Sequence, residues 1–358
     1  MTNESELKHL LSELIDPHTG QPLAEAVRAV VVRDGRAAVA VELGYPAAGW
    51  RKGLVDMVSG ALRASGDVSE VTVDLEWRLA QHAVQDGLNP LEGVGNVIAV
   101  ASGKGGVGKS TVAANLALAL QAEGARVGVL DADIYGPSQP RMLGLSGAPQ
   151  TTDNKRILPF EAHGLQAMSI GMLVKVDQAM IWRGPMATQA LQQMVAETLW
   201  HDLDYLVVDL PPGTGDIQLT LAQRIPVAGA VAVTTPQEVA VDDVRRAVAM
   251  FNKVRIPVLG VVENMSTHIC SNCGHEEAIF GTGGGSRIAA ETGVTLLGQL
   301  PLEASLGRST DQGRPIVAAD PDHPVSLRFR ELARRTAARL SLHNRNQQIR
   351  MPKIRIVD

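Results

Sequence analysis

Only two cysteines, Cys270 and Cys273, occur in 358 residues, so no disulfide framework can hold this fold. Aromatic residues are scarce at 3 %, while glycine fills 35 positions. A core built mainly from Val, Ala and Leu suits a parallel sheet under closely packed helices. No apolar run reaches the roughly 20 residues of a membrane span, and the polar start Met1-Thr2-Asn3-Glu4-Ser5-Glu6 lacks the apolar stretch of a secretory leader. Basic residues are not in excess: 33 Lys and Arg stand against 38 Asp and Glu, a net charge of -5, which offers no electrostatic footprint for nucleic acid. These absences predict a soluble cytoplasmic protein with neither a membrane nor a nucleic acid as partner. The length allows one large core and a small second domain.

Against that background one stretch dominates. Gly103-Lys104-Gly105-Gly106-Val107-Gly108-Lys109-Ser110 fills every fixed position of the phosphate-cradling pattern G-x-x-x-x-G-K-[ST]. Val97 to Ala101 before it reads as a buried parallel strand, and Thr111 to Leu120 after it as a helix, the context such a loop requires. Glycines let successive N–H groups point into one concavity, and the helix N-terminus adds partial positive charge, so a polyphosphate such as that of ATP is held by backbone donors. Lys109 is expected to reach the β- and γ-phosphates and the Ser110 hydroxyl to hold Mg²⁺, with Thr111 completing the nucleotide site. Lys104 is unusual, because an ordinary loop needs no second lysine there. GKGGVGKS resembles the deviant P-loop of the ParA/MinD, arsenite-pump and nitrogenase iron-protein class, in which that early lysine acts across a dimer.

Acids at predicted strand ends complete this site. Val129-Leu130-Asp131-Ala132-Asp133 ends in a pair, and the resemblance to the same class implies that Asp133 orients the attacking water. Asp209 ends the buried run Val207-Val208-Asp209 ahead of Pro211-Pro212-Gly213-Thr214-Gly215, as an acid that supports Mg²⁺ through water does. Lys104, Lys109, Asp133 and Asp209 are thus the candidate catalytic set, with Gly136-Pro137-Ser138 a candidate switch. Asn264 resembles the adenine-contacting asparagine of the class; a plain turn-forming role is the alternative.

The second chemical stretch is His268-Ile269-Cys270-Ser271-Asn272-Cys273-Gly274-His275. C-x-x-C supplies two thiolates, half of the four ligands that structural zinc or an iron–sulfur cluster takes. A two-fold homodimer would bring two such pairs together. Three alternatives stand beside it: a Cys₂His₂ zinc site with His268 and His275, a thioredoxin-like redox pair, and two inert thiols. The redox pair should open a helix, whereas Gly274, Glu276 and Glu277 predict a loop.

Residues 1–80 read as a separate αββαβ unit: an apolar face over Leu7, Leu10, Leu11, Leu14 and Ile15, a hairpin of Val27–Arg33 and Arg36–Leu43 about Asp34-Gly35, a helix over Trp50–Ala64 and a strand over Val68–Trp77. Residues 81–95 are turn-rich and read as a linker. Strands at Arg126–Asp131, Tyr205–Leu210, Ala228–Thr234, Val258–Glu263 and Thr295–Leu300 alternate with helical stretches such as Met186–Trp200 and Val239–Val254. Residues 96–342 are therefore a P-loop NTPase domain of the α/β class, with a doubly wound, mostly parallel sheet closed by a helix over Pro324–Leu342. Residues 343–358 are a tail whose Arg350, Lys353 and Arg355 read as a solvated end.

Taken together, SGKGGVGKST, DADIYGPS, the WRGPM of Trp182 to Met186, DLPPGTGD, TTPQEVAVDDVRRA and GVVENMSTHICSNCGH resemble the Mrp/ApbC family of P-loop iron–sulfur cluster carriers across most of residues 96–320. The resemblance implies a homodimer that assembles a labile 4Fe–4S cluster on Cys270 and Cys273, delivers it to apoproteins, and hydrolyses ATP slowly in the process. The N-terminal unit resembles the small domain of SufT- and PaaD-like maturation proteins, including Ile15-Asp16-Pro17 and Gly44-Tyr45-Pro46. Tyr45 stands where that family often has cysteine, which argues against metal binding by this domain. A ParA/MinD-like positioning ATPase is the reading from a different class, and a nitrogenase-type reductase, with its cluster cysteines on separate loops, a third.

Overall fold

The computed structural model describes residues 4–343 except 65, 67, 154–155 and 174–183. The sequence stretch Trp182-Arg183 and the tail beyond 343 lie outside the described residues.

The N-terminal unit has the αββαβ order: α1 (Glu4–Glu13), β1 (Val27–Arg33), β2 (Arg36–Leu43), α2 (Arg51–Arg63) and β3 (Glu70–Trp77). β1 and β2 pair antiparallel about Asp34 and Gly35, both left-handed, and β3 joins β2 in parallel. That two-residue turn follows the twist of the strands it joins.

The large sheet is built from β4 (Val94–Ser102), β5 (Val127–Asp131), β6 (Phe160–Ala162), β7 (Leu165–Ser169), β8 (Leu203–Asp209), β9 (Gly229–Thr234), β10 (Val258–Ile269), β11 (Glu276–Glu277) and β12 (Leu296–Leu302). Its order is β12-β10-β9-β4-β8-β5-β7-β6; β6 and the short β11 run antiparallel and every other pairing is parallel. The chain leaves β4 toward β5 and returns past it to β9, so β4 sits at the switch point, where a crevice opens beyond the carboxyl ends of the strands. The β6–β7 hairpin was not foreseen; its strands are short and carry no alternating pattern. β10 runs six residues past the predicted end at Glu263, because its extension pairs with β12 and β11 rather than with β9.

Helices α3 (Lys109–Ala122), α4 (Gln139–Met142), α5 (Gly184–Glu197), α6 (Asp216–Arg224), α7 (Glu238–Lys253), α8 (Gly284–Thr292), α9 (Ala304–Asp311), α10 (Ile316–Ala319) and α11 (Pro324–Ser341) follow or cover these strands. α3 is apolar on nearly all sides because it is covered on nearly all sides, by the sheet, by α10 and by α11. Phe329 and Leu332 of α11 are about 1 % exposed, and burial of each contributes roughly 1.5–3 kcal/mol.

The N-terminal unit does not hang from its linker. One apolar cluster runs from Leu7, Leu54 and Leu75 into Leu116, Phe329 and Leu340. Beside it lies a buried polar seam. Glu123, fully buried at the end of α3, accepts from Arg330 Nε (2.7 Å), Arg334 Nη1 (2.8 Å) and the Gly49 N–H (2.8 Å). His18 Nε2 meets Glu331 Oε2 at 3.1 Å and its Nδ1 lies 3.1 Å from Tyr45 Oη, which donates to Asp16. Tyr45, at the family's cysteine position, is thus buried as a hydrogen-bonding strut. The connection through residues 81–95 is tied down as well: the His82 N–H donates to Asn96 Oδ1 (2.9 Å), and Gln85 Nε2 donates to the Ala222 carbonyl (2.8 Å). Among the described residues no helix is long and apolar enough to cross a membrane.

Candidate functional site

The loop Gly103–Ser110 joins β4 to α3 at the switch point. A Cβ on Gly103 would lie 2.2 Å from the Asp243 backbone of α7, and one on Gly108, whose φ is +79°, would lie 2.3 Å from Asn264 Nδ2. These glycines are required by close neighbours. Gly105 and Gly106 have no such neighbours, since a Cβ on either meets no atom within 4 Å; Gly106 is favoured by its left-handed backbone, φ +83°, and Gly105 by nothing inside the chain. They line an open concavity at the helix N-terminus, the shape and polarity that a polyphosphate fits.

Charged groups converge behind that concavity. Lys109, 6 % exposed, donates from Nζ to Asp209 Oδ1 at the end of β8, and its Nζ lies 4.0 Å from Asp133 Oδ2 and 3.4 Å from Ser110 Oγ. Asp133 is fixed as a turn: its Oδ1 accepts the N–H groups of Tyr135 and Gly136, each at 3.3 Å. Asp209, fully buried, also accepts from Gln139 Nε2 (3.0 Å), and the same amide donates to the Ser110 carbonyl at 3.0 Å. Asp131 accepts from the Gln139 N–H (3.0 Å), Ser169 Oγ (3.0 Å) and the Asp133 N–H (3.2 Å). Burial and the Asp209 charge push its carboxyl up, to about 7. Thr111 stands in the first turn of α3 and its carbonyl accepts from Asn115 Nδ2 at 2.9 Å. Lys104 is half-buried at the mouth and forms no ion pair among the described residues.

Asn264 reaches the loop itself, donating from Nδ2 to the Val107 carbonyl at 2.9 Å. Five residues on, β10 ends and the chain turns at the cysteines. The Cys270 N–H donates to the His275 carbonyl (2.9 Å) and the Gly274 N–H to the Cys270 carbonyl (2.9 Å), with Gly274 left-handed at φ +73°. The C-x-x-C is therefore the turn of a hairpin between β10 and β11, a loop and not a helix start. Cys270 is half-buried and Cys273 exposed. Backbone N–H groups of Asn272 and Cys273 donate to the Cys270 sulfur and hold its thiol below the usual range, which favours the thiolate that metals bind. His268 faces Glu277 (3.6 Å), and His275 gives the turn its carbonyl. Among the described residues no three His, Cys, Asp or Glu side chains gather into a metal site, so the Cys₂His₂ arrangement is not assembled.

With this geometry in hand, the family model for NUBPL iron-transfer P-loop NTPases matches residues 93–337, and that for iron–sulfur cluster assembly proteins matches residues 4–74. This chain belongs to the family of NUBPL iron-transfer P-loop NTPases, of the Mrp/ApbC type. Two relatives, both bearing the name iron–sulfur cluster carrier protein, illustrate the reach of the family. That of Pseudomonas fragi is 55 % identical over 279 residues, covering 77 % of this chain and 97 % of its own. That of Synechocystis is 41 % identical over 340 residues, covering 93 % and 96 %. A nucleotide-binding protein of Archaeoglobus fulgidus, solved with ADP, superposes with a TM-score of 0.58 at 37 % identity over 66 % of this chain and 93 % of its own. The cell-division ATPase MinD of Pyrococcus furiosus, at 20 % identity and a TM-score of 0.52 over 67 % of this chain and 98 % of its own, shares the fold.

Within this family member the sequence motifs converge as two sites. Lys109, Ser110, Asp133 and Asp209 meet around the loop, and Cys270 with Cys273 forms a separate exposed turn at the far end of β10. Gln139 and Ser169 were missed. Gln139 directly follows the candidate switch Gly136-Pro137-Ser138, at the start of α4, but no local pattern says that its amide bridges Asp209 to the loop. Asp131 was passed over for its neighbour Asp133, although its position at the very end of β5 marks it as the buried member of the pair.

Proposed function

We propose that this chain is an ATP-hydrolysing iron–sulfur cluster carrier: a homodimer that holds a labile 4Fe–4S cluster on Cys270 and Cys273 of both copies and passes it to apoproteins. The observation that carries the reading is the exposed, thiolate-favouring hairpin with two sulfurs and, among the described residues, no third ligand gathered beside them. An isologous contact supplies the missing pair. The names of the relatives and the matched family support iron–sulfur cargo over zinc.

Hydrolysis follows from the charges around the loop. Without nucleotide, Lys109 and Asp209 compensate one another in the interior, where either alone would be costly. An arriving polyphosphate offers Lys109 a second anion, and the ammonium turns toward the β- and γ-phosphates. Ser110 Oγ and the freed Asp209, the latter through water, are the groups that would hold Mg²⁺, which supplies charge neutralisation on the phosphate oxygens when bound. Asp133 accepts a hydrogen bond from the attacking water. The water oxygen bonds to the γ-phosphorus as the bond to the bridging oxygen breaks, leaving ADP and phosphate. Lys104 neutralises charge at the facing copy's phosphates. Ordering of the loops after Asp133 and Asp209 then shifts the two copies and changes the exposure of the four thiolates.

Anaerobic reconstitution tests this. Expected is the charge-transfer absorption of about one 4Fe–4S cluster per dimer, lost in Cys270→Ala, with Lys109→Ala retaining colour but losing hydrolysis and delivery. Equal colour in Cys270→Ala defeats the assignment, and undiminished delivery by Lys109→Ala defeats the coupling.

A further inference from the structure

β10 carries both sites on one continuous piece of backbone. Midway along it the side chain of Asn264, 7 % exposed, is pressed against the phosphate loop, bonded to the Val107 carbonyl at 2.9 Å and so close to Gly108 that no Cβ fits between them. At its outer end is the Cys270 turn. Cys270 lies six positions beyond Asn264, a span of at most about 20 Å.

The chain between them is pinned on both sides of one awkward residue. Glu263, 1 % exposed, accepts from the Gly285 N–H (2.5 Å) at the start of α8 and from Gln299 Nε2 (2.6 Å) on β12. Ser266 Oγ donates to the Leu300 carbonyl at 3.1 Å. Met265 between them is left-handed, at φ +56°, a conformation that an L side chain holds only when its surroundings impose it. At the same place the pairing with β12 slips register, between Asn264 and His268. His268 and Ile269 then pair with Glu277 and Glu276 to form the hairpin that holds the thiols.

We propose that Asn264 is a positioning residue that transmits the state of the phosphate loop to the cysteine turn, with Met265 as the joint. This rests on the reading of the two sites given above and deepens it by naming the route between them. When the loop closes on a polyphosphate its peptide groups turn their N–H bonds toward the ligand, and the Val107 carbonyl, on the outer side, carries the Asn264 amide with it. Glu263 stays tied to α8, so the displacement is taken up at Met265, where the ladder is already interrupted. The hairpin beyond moves as a unit and changes how Cys270 is presented. Asn264→Leu keeps the bulk but has no amide to follow the carbonyl; Met265→Gly removes the restraint that makes the joint stiff.

The experiment is the alkylation rate of the two thiols in the cluster-free full chain by iodoacetamide, without nucleotide and at saturating ADP or a non-hydrolysable ATP analogue with Mg²⁺, saturation being checked by equilibrium binding. In the parent, nucleotide is expected to change the rate by about fivefold or more, and in Asn264→Leu and Met265→Gly by less than about twofold. The proposal is overturned if the saturated Asn264→Leu protein keeps the parental change, if Asn264→Leu cannot be saturated, which would make Asn264 a nucleotide contact, or if the parent shows no change. None of these touches the cluster assignment, which stands or falls on the colour of reconstituted Cys270→Ala.

Discussion

Lys109→Met removes the ammonium on which Asp209 depends while keeping most of the apolar stem, so its effect on stability without nucleotide isolates a charge. Asp209 is fully buried and Lys109 is 6 % exposed. Deleting one partner of such a pair costs about 3–5 kcal/mol. A ceiling follows from protonation, since a stranded carboxyl can take up a proton: for an ordinary aspartate near 3.9, at about 1.4 kcal/mol per pH unit, that costs about 4 kcal/mol at pH 7 and about 1.5 kcal/mol at pH 5. A carboxyl stranded in the folded state has its proton affinity raised, so the penalty grows as pH rises. Urea denaturation of the nucleotide-free protein should therefore show Lys109→Met less stable by about 4 kcal/mol at pH 7 and by about 1.5 kcal/mol at pH 5, with little dependence on salt because the pair is buried. Adding Asp209→Asn should restore most of the loss, since the Gln139 amide can still bond to the neutral side chain. A loss below about 1 kcal/mol at pH 7, or one of equal size at both pH values, would refute the account of the loop's resting state.

The seam beneath the N-terminal unit should titrate. Burial alone would lower His18, but hydrogen bonds and charge from Asp16 and Glu331 raise it above 6.5; burial would raise Asp16 and Glu331, but bonds from His18, joined by Tyr45 at Asp16 and Arg334 at Glu331, hold them below 3.8 and 4.5. The His18 contribution is complete below about 6.5 and fades as pH climbs through its raised value, while the carboxylate contributions fade as pH falls, so docking is strongest between about pH 5 and 6.5. Thermal midpoints and hydrogen exchange of α1 should follow that window, with the alkaline limb flattened in His18→Leu. Gly108→Ala, blocked by its φ of +79° and by Asn264 Nδ2 at 2.3 Å, should lose binding of a fluorescent ATP analogue. Gly105→Ala, with nothing within 4 Å, should change stability by less than about 0.5 kcal/mol by the same urea measurement. At the cysteine turn, Gly274→Val should cost about 1–2 kcal/mol of local stability and release bound iron faster, whereas Gly274→Asn, better suited to a left-handed site, should do so less; iron release to a chelator reads the difference.

Several elements were legible because their causes are local. The loop, its strand and its helix follow from eight residues and their flanks, the Asp34-Gly35 turn from two, and the thiol turn from Gly274 and the acids behind it. Strand alternation was enough for the doubly wound sheet. What escaped was short or non-local: the hairpin of β6 and β7, the extension of β10, the bridging amide of Gln139, and the buried role of Tyr45, whose hydroxyl finds its partners Asp16 and His18 only in the fold.

The sequence by itself determined that there is a phosphate loop, a pair of thiols three positions apart, and a sheet of parallel strands to carry them, because periodicity and turn chemistry act over a dozen residues or fewer. Only the tertiary structure decided that Lys109 pairs with Asp209, a hundred positions away, that Glu123 takes Arg330 and Arg334 from the last helix, and that one strand runs from the loop to the thiols. Partners so distant in the chain are chosen by sheet order and register, and a buried charge accepts whichever counter-charge that register delivers.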